Sequence, residues 1–210
     1  MKIRYCFIAM TALLASTAQS EELFETLKFR EFHDPGWMIT ENNQGQLREA
    51  SFYYTFITYE DIKTWKEGET LNVYLSESSG VVLEREVTKK RYTIDFTGDY
   101  SPIDLNLEAC KEKYDSTVGL TDCYGQASLY QEGQIKAFTA RISDEIGYVA
   151  EDMIKAQKAA FDAYVKSKWA LTRYQDSKSE WRGTIQNVIG ANYYYNDMKH
   201  FAGSLKRFMQ

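Results

Sequence analysis

The chain has 210 residues and carries 25 lysines and arginines against 30 aspartates and glutamates, a formal charge of −5. That balance excludes a protein built to hold nucleic acid, which requires a basic surface. The length allows one domain or two small ones, and the acidity suits solubility or a cationic partner drawn in by electrostatic steering.

Residues 1–20 read as a secretory signal peptide. Lys2 and Arg4 make a positive start, and the apolar run from Tyr5 to Leu14 is too short to cross a bilayer. Ala18-Gln19-Ser20 then offers small residues before a cleavage site, and Cys6 lacks the small-residue setting of a lipoprotein site. The expectation is an exported protein, periplasmic or secreted, without a lipid and without stable membrane insertion. Loss of Lys2 and Arg4 leaves 23 basic and 30 acidic residues, a charge of −7. Two cysteines remain, Cys110 and Cys123, and an oxidising compartment pairs them as a disulfide. The loop so closed is short, and the chain-entropy account gives about 3 kcal/mol. A metal site would need two more ligands, and His33 and His200 do not show zinc spacing with the cysteines.

Glu21–Phe32 is amphipathic but undecided. Leu23, Phe24 and Leu27 fit one helical face, whereas Leu27 and Phe29 alternate as in a strand. Asp34-Pro35-Gly36 signals a turn, Trp37–Thr40 a short strand, and Glu41–Gln46 a loop. Ala50–Tyr59 is the strongest strand pattern, with Phe52, Tyr54 and Phe56 on one face and Tyr53, Thr55, Ile57 and Tyr59 on the other. Glu60–Trp65 is ambiguous, and Glu67-Gly68-Glu69 turns the chain. Thr70–Leu75, Gly80–Glu86 and Arg91–Phe96 alternate as strands, joined by a glycine-containing hairpin loop and by a polar turn at Lys89-Lys90. Residues 21–100 therefore make a small antiparallel module of four or five strands.

From residue 101 the pattern is helical, so the fold class is α+β. Ser101 can cap a helix, Pro102 suits its first turn, and Asp104 follows three residues after the cap; this helix runs to about Tyr114. Asp115–Leu120, with Gly119, reads as a turn. Thr121 or Asp122 then caps a second helix to about Ile142. Ser143 caps a third to about Tyr174, whose stripe is Ile146, Ala150, Met153, Ile154, Phe161, Tyr164, Val165 and Trp169. After a polar break over Gln175–Gly183, a fourth helix spans Thr184–Phe208, with Ile185, Val188, Met198, Phe201, Leu205 and Phe208 inward. The cysteine pair staples the corner between the first two helices of this four-helix region. Tyr193, Tyr194 and Tyr195 cannot share one buried stripe, because successive helical residues lie about 100° apart. At least one is therefore expected at the surface, as a partner contact, or against the strand module.

No Gly-x-Ser-x-Gly, His-Glu-x-x-His, P-loop or Gly-x-Gly-x-x-Gly pattern is present. His33-Asp34 is a neighbouring pair without a placed third group, so no catalytic residue, cofactor or metal is assigned. The segment Cys110-Lys111-Glu112, Thr117-Val118-Gly119-Leu120-Thr121-Asp122-Cys123-Tyr124, then Lys155-Ala156-Gln157-Lys158-Ala159-Ala160-Phe161 and Arg182-Gly183-Thr184-Ile185, resembles the LprI-type family of lysozyme-inhibitor-like secreted proteins. The resemblance covers residues 101–210. It implies a non-enzymatic protein that binds lysozyme or another peptidoglycan hydrolase outside the cytoplasm and blocks it sterically. An immunity protein against a cell-wall-degrading effector, or an envelope protein of unrelated role, are the alternatives.

Overall fold

The structure is a computed structural model and describes residues 21–33, 36–51, 57–96, 100–177 and 185–206. The expected signal segment lies outside these residues, as do the aromatic stretch 52–56 and most of the polar break before the last helix. In chain order come β1 (Glu21–His33), β2 (Trp37–Asn42), β3 (Leu47–Ser51), the short α1 (Tyr59–Ile62), β4 (Thr70–Ser76), β5 (Gly80–Arg85), β6 (Lys90–Thr93) and β7 (Asp95–Phe96). Four longer helices follow: α2 (Pro102–Lys113), α3 (Thr117–Ile146), α4 (Tyr148–Ser177) and α5 (Ile185–Lys206). The α+β reading holds.

All seven strands form one antiparallel sheet in the order β6-β5-β4-β1-β2-β3-β7. The strands at the two ends, β6 and β7, are separated in the chain by Ile94 alone. Their Cα atoms are therefore only two peptide units apart, and the sheet must curl until its ends meet. Lys90–Thr93 pairs with β5, while Asp95–Phe96 pairs with β3. One bent stretch of chain thus closes the sheet, and this removes the edge hazard of a long unpaired strand.

The opening segment, undecided from sequence, is the strand β1 at the middle of the sheet. It pairs with β4 through Glu21–Lys28 and with β2 through Leu27–His33. Register slips at Phe24 and Arg30 mark two bulges. Each bulge flips the alternation, so the inward-leaning residues run Phe24, then Leu27 and Phe29, then Phe32. That broken parity is what imitates a helical spacing. With β1 added, and with the expected strand Arg91–Phe96 broken at Ile94 into β6 and β7, the sheet has seven strands instead of the four or five expected.

The expected strand Ala50–Tyr59 is corrected at both described ends. Its paired part begins earlier, at Leu47, and Tyr59 opens α1. The reason is Thr58, whose side chain accepts a hydrogen bond from the Asp61 backbone at 3.2 Å, with Glu60 and Asp61 favouring the helix start. Next to α1, Arg85 closes one end of the curled sheet. Its guanidinium donates two bonds to Glu69, at 2.6 and 2.9 Å, and two to Thr64. A hydrogen bond at each of its three nitrogens is what allows an arginine to be buried there.

Ser101 caps α2 as expected, with Pro102 in the first turn. The second helical start differs. Ser116, not Thr121 or Asp122, caps α3, accepting from Gly119 N at 3.1 Å. Gly119 is not a turn residue but lies inside the helix that Ser116 starts, at a place where a Cβ would stand 2.6 Å from Tyr114 Cβ. The α3 helix also outruns its expected end, and the break falls at Gly147 (φ 81°) rather than at a Ser143 cap. Cys110 and Cys123 are bonded, with Cα atoms 5.7 Å apart, tying α2 to α3.

Strands and helices share one core. Leu27, Val73 and Leu83 of the sheet belong to the same buried cluster as Ile103 and Leu107 of α2, Ala127 and Tyr130 of α3, and Tyr195 of α5. A second cluster joins Ile135, Phe138 and Ile142 of α3 to Ile154 of α4 and Met198, Phe201 and Leu205 of α5. The α3 helix is the spine of both. Where α3 crosses the β4–β5 hairpin, Gly133 lies so close that a Cβ would stand 2.6 Å from Gly80 N and 2.8 Å from Ser76 O. Beside it, Gln134 Oε1 accepts from Val81 N at 2.7 Å, joining helix to sheet by a buried bond. The expected stripe of α4 proves narrower: Ile154 and Val165 are buried and Phe161 stacks on Phe201, but Met153 and Tyr164 are exposed. On α5, Ile185 is exposed as well, whereas Met198, Phe201 and Leu205 lie inward as expected.

Candidate functional site

The sequence motif Thr117–Cys123 forms the first turns of α3, and the outer side of these turns faces α5 across a shallow groove. Its upper part, about 180 Å³, is lined by Thr117, Val118, Thr121, Asp122 and Asn187. It continues into a larger trough of about 370 Å³ bordered by Gly125, Leu129, Glu132, Ala191 and Tyr194. On α3 the lining follows helical spacing: Thr121, Gly125, Ser128 and Glu132 recur three or four residues apart on one face. Three of these four are small, which keeps the floor low. Gly125 is not held by packing, since a Cβ there would meet nothing within 4 Å.

Apolar and acidic groups mix along the groove. Val118 is 64% exposed and Leu129 40% exposed. Among the described residues, Asp122 and Glu132 are the charged ones in the lining, and no lysine or arginine lines either part. Tyr194 donates to Glu132 Oε1 at 2.7 Å. Burial and the neighbouring Glu132 carboxylate push the Tyr194 hydroxyl above its ordinary pKa, so it remains a donor and orients that acid. The groove can therefore receive a side chain that is cationic at its tip and apolar along its stem, as lysine and arginine are.

The structure separates the three consecutive tyrosines. Tyr194 lines the groove. Tyr193 is exposed on the α4 side, where Lys168 Nζ stands 5.3 Å from its ring centre. Tyr195 is buried, its ring centre 6.4 Å from that of Tyr124, and its hydroxyl donates to Asp104. Burial and Asp104 push the Tyr195 hydroxyl up from its ordinary value as well. Of the three, only Tyr194 belongs to the groove. The residues that sequence reading missed are Val118, Asp122, Gly125, Leu129, Glu132 and Asn187. One signal was available: Gly125 sits in mid-helix, where glycine is costly and needs a reason.

The other residues weighed for chemistry lie apart. His33 Nε2 is 3.2 Å from Glu31 Oε1 at the exposed end of β1, and His200 is exposed on α5. Among the described residues no helix is long and apolar enough to cross a membrane. A disulfide of this kind persists in an oxidising compartment, so the Cys110–Cys123 bond is compatible with a periplasmic or extracellular site.

Fold and groove together define an α+β protein: a curled antiparallel sheet and a disulfide-stapled group of helices share a core, and a mixed apolar and acidic groove opens between two of the helices. Comparison with known proteins finds no matching family model, no matching curated protein and no matching solved structure.

Proposed function

We propose that this protein is an exported, non-enzymatic inhibitor that binds lysozyme or another cationic peptidoglycan hydrolase and blocks it sterically. One observation carries the reading. The upper part of the α3–α5 groove comes from the segment Thr117–Tyr124 that resembles the LprI-type family, and the described lining of the whole groove carries acids and apolar groups without a basic residue. A cationic partner would be steered to such a surface at long range and held by Val118, Leu129 and Tyr194 at short range.

The test is a cell-wall hydrolysis assay with purified protein and several lysozymes, at low and high salt. Inhibition that weakens as salt rises is the expected result, because exposed charge attraction is screened over about 10 Å at 0.1 M salt. The variants Asp122→Lys and Glu132→Lys should each weaken inhibition by about tenfold or more, through charge repulsion at the groove. Absence of inhibition at micromolar protein for every lysozyme tried would sink the lysozyme reading. A cell-wall-degrading effector would then be the next target to assay, in the role of an immunity protein.

A further inference from the structure

The groove between α3 and α5 has a length as well as a chemistry, and the length limits what can lie in it. Its two acids stand toward opposite ends, Asp122 in the upper part and Glu132 in the trough. They are ten residues apart on one helix, about 15 Å along its axis. Among the described residues neither carboxylate is paired with a lysine or arginine; Glu132 accepts one bond, from Tyr194 at its Oε1. The acids of the neighbouring helices differ. Asp104 on α2, Asp162 on α4 and Asp197 on α5 each hold a lysine.

Between the two acids the floor is low, formed by Gly125 and Ser128 of α3 and Ala191 of α5. A Cβ on Gly125 would meet nothing within 4 Å, so the space above it is open. Steps of 100° per residue place Val118, Asp122 and Leu129 along one edge of α3, as an outer wall with an acid set among apolar groups. A helix is a poor occupant of so shallow a groove. It is about 10–12 Å across, and it repeats a 15 Å separation on one face only after ten or eleven residues. An extended chain advances about 3.3 Å per residue and sends alternate side chains to the same side. Residues i and i+4 then stand about 13 Å apart, both facing the groove, and the long stems of lysine and arginine supply the remaining reach. Residue i+2 comes down over Gly125, beside Leu129, where a small apolar side chain fits.

We propose that the groove holds an extended segment of its protein partner, in which basic residues at i and i+4 meet Asp122 and Glu132 and a small apolar residue at i+2 covers Gly125. The inference rests on the inhibitor reading for the kind of partner and adds the segment that the partner offers. It is read without a hydrolase present.

The experiment titrates the purified protein, at low salt, with two capped pentapeptides of identical composition, followed by calorimetry and amide NMR. Acetyl-Arg-Ala-Val-Ala-Arg-amide carries the proposed spacing, and acetyl-Ala-Arg-Val-Arg-Ala-amide brings the two charges closer. The first should bind saturably in the millimolar range or tighter and shift the amides of Gly125, Leu129 and Ala191. The second should bind about fivefold more weakly, because it reaches one acid at a time. Asp122→Asn and Glu132→Gln should each weaken the first peptide by about threefold or more. Gly125→Leu fills the floor without touching the core and should abolish binding, with a helical circular dichroism spectrum showing that it folds. No binding of the first peptide, equal binding of its isomer, or undiminished binding to the folded Gly125→Leu protein would each overturn the proposal. Hydrolase inhibition by a protein that does not bind the first peptide would remove this inference and leave the inhibitor reading standing. Peptide binding without inhibition of any hydrolase would do the reverse.

Discussion

Two glycines of α3 separate what holds the protein together from what shapes its surface. Gly133 presses against the backbone of the β4–β5 hairpin, whereas Gly125 faces open groove. Gly133→Ala forces backbone apart and should cost about 1–3 kcal/mol, the usual range for overpacking. Gly125→Ala only gains helix propensity and should stabilise by about 0.8–1 kcal/mol. Urea denaturation of both variants checks the pair, and equal effects on stability would contradict the packing described here. A glycine in a helix reads the same in either position until its neighbours are known. Residue-level chemistry was legible where it is local: Ser101-Pro102 as a helix start, Gly68 at a turn, and Gly80 in a hairpin all came through.

Elements were less legible where side chains act across the chain. Ser116 and Thr58 are caps of ordinary type, but Gly119 imitates a turn and the aromatic run after Ala50 continues a strand pattern past the Thr58 cap. In β1 the bulges at Phe24 and Arg30 scrambled a period that a plain strand would have displayed. The α2–α3 corner is the most local of the larger units and was anticipated from its cysteines. Cys123 is buried and Cys110 packs against the same core, so the bond restrains an element that also carries part of the groove. Reduction, or the pair Cys110→Ser and Cys123→Ser, should lower stability by about 2–4 kcal/mol. Hydrogen exchange should show the loss of protection concentrated at the end of α2 and the start of α3. Uniform loss across the sheet would argue against a local staple.

At the scale of the molecule, the sheet and helices meet in one cluster that runs from Leu27 to Tyr195. Unfolding should therefore be a single transition. Tryptophan fluorescence, which reports Trp65 inside the curled sheet along with three other tryptophans, and helical circular dichroism should give the same midpoint. Midpoints that differ would mean that the strand half stands alone. For the same reason residues 21–100 expressed by themselves should not fold, since Ile103, Leu107, Ala127 and Tyr130 complete their core.

The amino-acid order by itself carried the fold class, most helix positions, the hairpins β4–β5 and β5–β6, and the cysteine pair. Each of these depends on contacts within a few residues or on a count. The closure of the sheet through Ile94, the place of β1 at its centre and the crossing of α3 over the hairpin were decided only in three dimensions. They rest on groups such as Gly133 and Gly80, or Gln134 and Val81, that lie more than fifty residues apart. The groove belongs to the same class. Its residues are ordinary one by one, and become a surface only because α5 packs beside α3 and brings Tyr194 to Glu132.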